Sequence, residues 1–157
     1  VYIYNMIQKA LFGAGCFWGV EEHFRKINGV TETLVGYSGG NTENPTYESV
    51  CYDNTDHAEV LLVNFDEEKI SYEVLIQEFW KCHDPTTLNS QGPDFGKQYR
   101  SVIYYYNDEQ KNIALKSREN NQENFDNRIV TEITKADTFY KAEDYHQKYI
   151  KKRELIE

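Results

Sequence analysis

Ile7-Gln8-Lys9-Ala10-Leu11-Phe12-Gly13-Ala14-Gly15-Cys16-Phe17-Trp18-Gly19-Val20 changes its hydrophobic period halfway along. The run 7–14 is apolar and ends in small residues, as a strand does. Phe17, Val20, Phe24 and Ile27 then recur at helical spacing, with Glu21, Glu22, Arg25 and Lys26 between them. A strand therefore hands over to a helix at Cys16. Backbone N–H groups and the positive end of a helix favour thiolate there, so the Cys16 pKa is expected below the roughly 8.5 of a free cysteine. Gly15 and Gly19 leave room for another molecule to approach. The competing reading makes Cys16 a small buried hydrophobe, the usual fate of a free cysteine.

Outward from this junction, apolar runs alternate with amphipathic stretches. Residues 31–37, 58–65, 101–106 and 128–134 read as further strands, rich in Val, Ile, Leu and aromatics. Ser71 reads as the N-cap of a helix reaching His83, with Tyr72, Leu75, Ile76, Phe79 and Trp80 on one stripe. Residues 108–124 are polar and predict a surface helix, and 142–152 a last one. The expected class is α+β: a two-layer, ferredoxin-like sandwich of helices on a mixed sheet, forming a single domain over 1–157 with its core at about 7–150.

A chain of 157 residues suits one domain that buries close to roughly 70% of its unfolded surface without disulfides. Three widely spaced cysteines fit a reducing compartment, and neither a signal pattern nor a membrane-length apolar run is visible, so the expectation is a cytoplasmic protein with no membrane partner. The net charge of −9 argues against a nucleic-acid partner, which needs a basic surface. The thirteen tyrosines supply hydroxyl donors for a pocket, though sheet packing accounts for most of them.

Two segments lack a regular pattern. Residues 38–46 are turn chemistry, and 84–98 is a long stretch with Pro85, Pro93, Gly92 and Gly96. Loops of that length in compact domains are usually functional or disordered, and the fixed-turn residues favour two walls of a pocket. Glu59 falls in strand 58–65, where period-two alternation puts it on the face of Leu61, Val63 and Phe65. Burial there raises a carboxyl above its usual value of about 4.3 and makes it a proton donor near neutral pH. Alternatively Glu59 caps the wet end of the strand.

Gly15-Cys16-Phe17-Trp18-Gly19, Gly36-Tyr37-Ser38-Gly39-Gly40, Asn44-Pro45-Thr46-Tyr47, His57-Ala58-Glu59, His83-Asp84-Pro85, Gln98-Tyr99-Arg100-Ser101 and Ala142-Glu143-Asp144-Tyr145-His146 occur in that order. Together they resemble the peptide-methionine (S)-S-oxide reductases, class A of the methionine sulfoxide reductases, which repair oxidatively damaged protein. The resemblance implies that Cys16 attacks the sulfur of methionine S-sulfoxide, free or in proteins, and is left as a sulfenic acid. It implies that Glu59 protonates the sulfoxide oxygen while Tyr47 and Tyr99 donate hydrogen bonds to it. Phe17 and Trp18 would receive the substrate methyl group, and Asp94 would order the site. No metal or other cofactor is implied beyond an external thiol reductant.

Many family members resolve the sulfenic acid with cysteines in a glycine-rich C-terminal tail. This sequence ends Lys151-Lys152-Arg153-Glu154-Leu155-Ile156-Glu157, and Cys51 and Cys82 read as packed side chains. The expectation is a single-cysteine enzyme resolved by glutaredoxin with glutathione or by thioredoxin. Some relatives carry selenocysteine at the nucleophile, so Cys16 is either native or its stand-in. His57-Ala58-Glu59 lacks the downstream cysteine pair of a zinc deaminase. A thiol peroxidase or cysteine hydrolase is the enzymatic rival, although hydrolysis wants a histidine beside the thiol. A binding module for oxidised or methionine-rich proteins is the non-enzymatic one.

Overall fold

A computed structural model describes residues 6–156; Val1 to Asn5, which precede the single methionine, lie outside the described residues. β1 (Ile7–Ala14) runs through the middle of a six-stranded mixed sheet in the order β7-β6-β1-β3-β2-β8. β2 (Val30–Ser38) and β3 (Ala58–Asp66) pair antiparallel, as do β1 with β3 and β1 with β6 (Ser101–Tyr105). β7 (Glu132–Lys135) adds parallel to β6, and β8 (Tyr140–Lys141) antiparallel to β2.

Side-chain alternation divides β3 between two apolar layers. Leu61, Val63 and Phe65 enter the main core with Phe12, Phe24, Leu75, Ile76 and Phe79, whereas Val60 and Leu62 join Leu11, Val102 and Tyr104 on the other face. The main core is roofed by α1 (Phe17–Arg25) and α3 (Tyr72–Lys81), tied together by a 2.9 Å bond between His23 and Glu78. Ser71 caps α3 by accepting from the Val74 N–H, and Asn107 caps α4 (Asp108–Asn121) in the same way.

Three elements differ from the sequence reading. The strand expected at 128–134 begins only at Glu132, because Ile129 and Val130 give their N–H groups to the Gln122 side chain and the Pro85 carbonyl. The helix expected at 142–152 breaks into a 3₁₀ turn, Asp144–His146, and α5 (Tyr149–Ile156), with Lys148 at φ +51° between them. The turn-rich stretch around Pro45 leads into a short helix, α2 (Tyr47–Tyr52), that the pattern did not reveal. Thr46 caps it reciprocally with Ser49. The loop 84–98 is ordered by a small hairpin of β4 (Ser90–Gln91) and β5 (Asp94–Phe95), pinned by the Gln91 side chain on both backbone groups of Asp84. Among the described residues, no helix is long and apolar enough to cross a membrane.

Candidate active site

Cys16 is the N-cap of α1, as the change of period implies. Gly15 makes the junction possible: its φ is +96°, and a Cβ there would lie 2.7 Å from the Gln91 side chain. Gly19 faces open space one turn into the helix. β3 runs antiparallel beside β1, with Leu61 opposite Phe12, so the start of β3 lies alongside the end of β1, next to where α1 begins. There the Phe17 N–H donates to Glu59 Oε1 at 3.2 Å.

Glu59 is 1% exposed, which excludes the wet-end reading. Burial pushes its pKa up to about 8, with the charge of Asp94 acting the same way and the Phe17 N–H opposing. Its second oxygen is buried with no partner among the described residues. A protonated carboxyl held by one oxygen and free at the other is an acid with its proton to give.

The thiol departs from expectation. Cys16 does receive help from the N–H groups of Trp18 and Gly19, but burial outweighs them, Glu59 and Asp94 add unfavourable charge, and the pKa rises to about 11. At this helix start the cost of burying the sulfur exceeds what the two N–H groups return.

Tyr47 opens α2, and Tyr99 ends a 3₁₀ turn, Lys97–Tyr99, just before β6. Both phenols have raised pKa values: burial leads in each, followed by Cys51 for Tyr47 and by Glu59 for Tyr99. Both therefore remain hydrogen-bond donors at neutral pH. Asp94, in the hairpin, acts electrostatically on Glu59, Cys16 and Tyr99 together. The two aromatics after Cys16 separate: Phe17 is 1% exposed and packs on Tyr37, whereas Trp18 is half-buried.

Sequence reasoning assigned no role to Glu143, although it lies in a quoted motif. Its carboxylate accepts from the Tyr47 N–H and the Tyr37 hydroxyl, each at 2.9 Å, and so pins the start of α2. No local pattern reveals a bond across 96 residues. Cys51 lies one turn beyond Tyr47 and neighbours its phenol, closer to the cluster than a purely packed residue. Cys82 instead donates to the Phe79 carbonyl at the end of α3, and burial raises its pKa to about 12. His57 accepts from Gly40 N–H, and His83 joins Phe79 to Ser101, both as scaffold. Among the described residues, no group of three or more His, Cys, Asp or Glu is placed to hold a metal ion.

A sequence profile described as "Peptide methionine sulfoxide reductase" matches residues 8–156. A peptide methionine sulfoxide reductase MsrA of Methanothermobacter thermautotrophicus is 58% identical over 147 residues, covering 92% of this chain and 87% of the relative. The crystal structure of reduced Mxr1 from Saccharomyces cerevisiae superposes with a TM-score of 0.92 at 36% identity, covering 98% of this chain and 90% of that one. Mxr1 in complex with Trx2 matches with a TM-score of 0.68 at 26% identity, over 95% and 88% of the two chains. With the thiol at the head of α1, the buried acid across from it and these relatives over nearly its whole length, the chain belongs to the peptide methionine sulfoxide reductase family.

Proposed function

We propose that this protein reduces the S-epimer of methionine sulfoxide, free or within proteins, to methionine, with Cys16 as nucleophile and Glu59 as acid. The observation that carries the reading is the Glu59 carboxyl: buried, protonated at neutral pH, one oxygen on the Phe17 N–H and the other without a partner. Sulfoxide reduction needs such a group, because charge collects on oxygen as sulfur is attacked.

Glu59 delivers its proton to the sulfoxide oxygen as the Cys16 sulfur attacks, and the proton lost by the thiol replaces it on the Glu59 carboxylate, so that no proton is gained or lost overall. Two electrons pass from the Cys16 sulfur to the substrate sulfur. The substrate S–O bond breaks, an S–O bond forms on Cys16, and methionine leaves. Tyr47 and Tyr99 donate to the oxygen, and burial, with the charge of Asp94 adding to it, keeps Glu59 protonated. Phe17 and Trp18 supply the apolar wall for the methyl group, with sulfur–aromatic attraction of about 0.3 to 1.5 kcal/mol. An external thiol then attacks the sulfenic acid and expels water, and a second thiol reduces the mixed disulfide. The capture of a relative with Trx2 supports thioredoxin in that role; glutathione with glutaredoxin is the other candidate.

The test is turnover of dabsylated methionine sulfoxide, resolved by epimer, with dithiothreitol as reductant. Turnover of the S-epimer, none of the R-epimer and none in Cys16→Ser is the expected result. Activity that survives in Cys16→Ser overturns the assignment.

A further inference from the structure

Asp94 and Tyr99 both belong to the loop between α3 and β6, so the site depends on how that loop is held. Its base is closed by His83, whose Nε2 lies 2.7 Å from the Ser101 hydroxyl. Near its far end Lys97 pairs with Asp56 at 3.3 Å, but both side chains are exposed and such a pair is worth little. Between these points the hairpin that carries Asp94 meets the nucleophile's own backbone through Gln91.

Gln91 makes two attachments at once. Its Oε1 accepts from the Asp84 N–H at 2.9 Å and its Nε2 donates to the Asp84 carbonyl at 2.8 Å, a two-point clamp that fixes the direction of the side chain. Its Cβ and Cγ lie against Gly15, where an added Cβ would fall 2.9 and 2.7 Å from them. Gly15 precedes Cys16 and holds φ +96°, so the stem of Gln91 fills the space that a glycine leaves there. Across the hairpin, Gln91 pairs directly with Asp94. One side chain thus joins the start of the loop, the backbone before the thiol and the strand that carries the charge.

That charge is felt by three groups of the site. Asp94 disfavours the ionised forms of Glu59, Cys16 and Tyr99, adding to burial in each case, while the N–H groups of Phe17, Trp18 and Gly19 oppose it at Glu59 and Cys16. A Coulomb interaction follows the separation of the charges, so it is sensitive to where the hairpin sits. Resting on the function proposed above, we infer that Gln91 is a positioning residue that acts through Asp94: clamped on Asp84 and seated on Gly15, it holds the hairpin so that the Asp94 carboxylate stays within electrostatic reach of Glu59 and Cys16. With the charge held there, Glu59 keeps the proton it must deliver; with the hairpin loose, that proton is lost at lower pH.

Gln91→Met keeps the stem on Gly15 and removes the amide clamp. The alkaline limb of the kcat/KM profile for methionine S-sulfoxide, where wild-type Glu59 gives up its proton at about pH 8, is expected to move down by about half a pH unit. Alkylation of Cys16 by iodoacetamide at pH 6.5 without substrate, followed on its own peptide by mass spectrometry, should run about twofold faster. In an Asp94→Asn background, with no charge left to place, Gln91→Met should change neither the limb nor the alkylation rate. A limb that stays in place in Gln91→Met overturns the inference. So does a shift or an acceleration that persists in the Asp94→Asn background, because the loop has then merely loosened. Gln91→Leu, which keeps Cβ and Cγ on Gly15, serves the same comparison if methionine does not fit. Folded wild type that turns over neither epimer instead overturns the proposed function, and the alkylation rates then decide the inference alone.

Discussion

At the scale of single residues, the site is a contest between burial and backbone dipoles, and burial wins twice. It keeps the Glu59 proton on to about pH 8 and the Cys16 proton on to about pH 11. Glu59→Gln should therefore lower kcat/KM by a factor of about 10² or more at pH 6–7, where the wild-type carboxyl holds its proton. The gap should narrow above pH 8 as wild type loses that proton; an equal deficit at every pH makes Glu59 a positioning group. The same substitution should stabilise the protein. Folded Glu59 titrates near 8 and an unfolded glutamate near 4.3, so between these values the folded state holds the extra proton and stability falls as pH rises. Urea melts from pH 5 to 8 should show wild type losing about 1.4 kcal/mol per pH unit relative to Glu59→Gln. Parallel curves would mean the carboxyl is not buried as described. For Cys16, alkylation by iodoacetamide at pH 7 without substrate should run at least about tenfold slower than for free cysteine and keep accelerating past pH 9. A plateau below pH 8 would restore the low pKa expected from the helix start.

At the scale of elements, the junction between β1 and α1 carries the most. Gly15 combines a left-handed φ with the Gln91 side chain against its α-carbon. Gly15→Ala should cost about 1–3 kcal/mol in urea unfolding and lower kcat by displacing Cys16. A change under about 0.5 kcal/mol would mean that the turn relaxes freely. This junction was legible because strand and helix periods meet there over enough residues to count. Helix α3 was legible for the same reason, with five apolar residues on one stripe and a serine cap. The short α2 was not: its six residues hold one buried side chain, Val50, and its order comes from the Thr46–Ser49 box and the distant Glu143 carboxylate. The last helix starts late because Lys148 turns left-handed, where its N–H reaches the buried Glu21 carboxylate.

For the whole molecule, the three thiols occupy different surroundings, and this bears on how the cycle closes. Cys82 is locked to its own helix end, and Cys51 sits on α2 beside Tyr47. One turnover of methionine S-sulfoxide without reductant should leave Cys16 with one added oxygen by mass spectrometry. A Cys16–Cys51 or Cys16–Cys82 disulfide in the peptide map would show that the chain resolves its own sulfenic acid.

The sequence by itself determined the cysteine at a strand-to-helix junction, the main strands and best helix, and the carboxyl on an apolar face of β3, because each is written in local periodicity or in an ordered set of motifs. Only the tertiary structure decided how the thiol titrates, how far Glu59 is buried, and which groups hold Trp18 and Tyr47. Desolvation depends on every atom packed around a group, and Glu143 and His146 meet their partners across 96 and 128 residues, a distance over which no periodicity carries information.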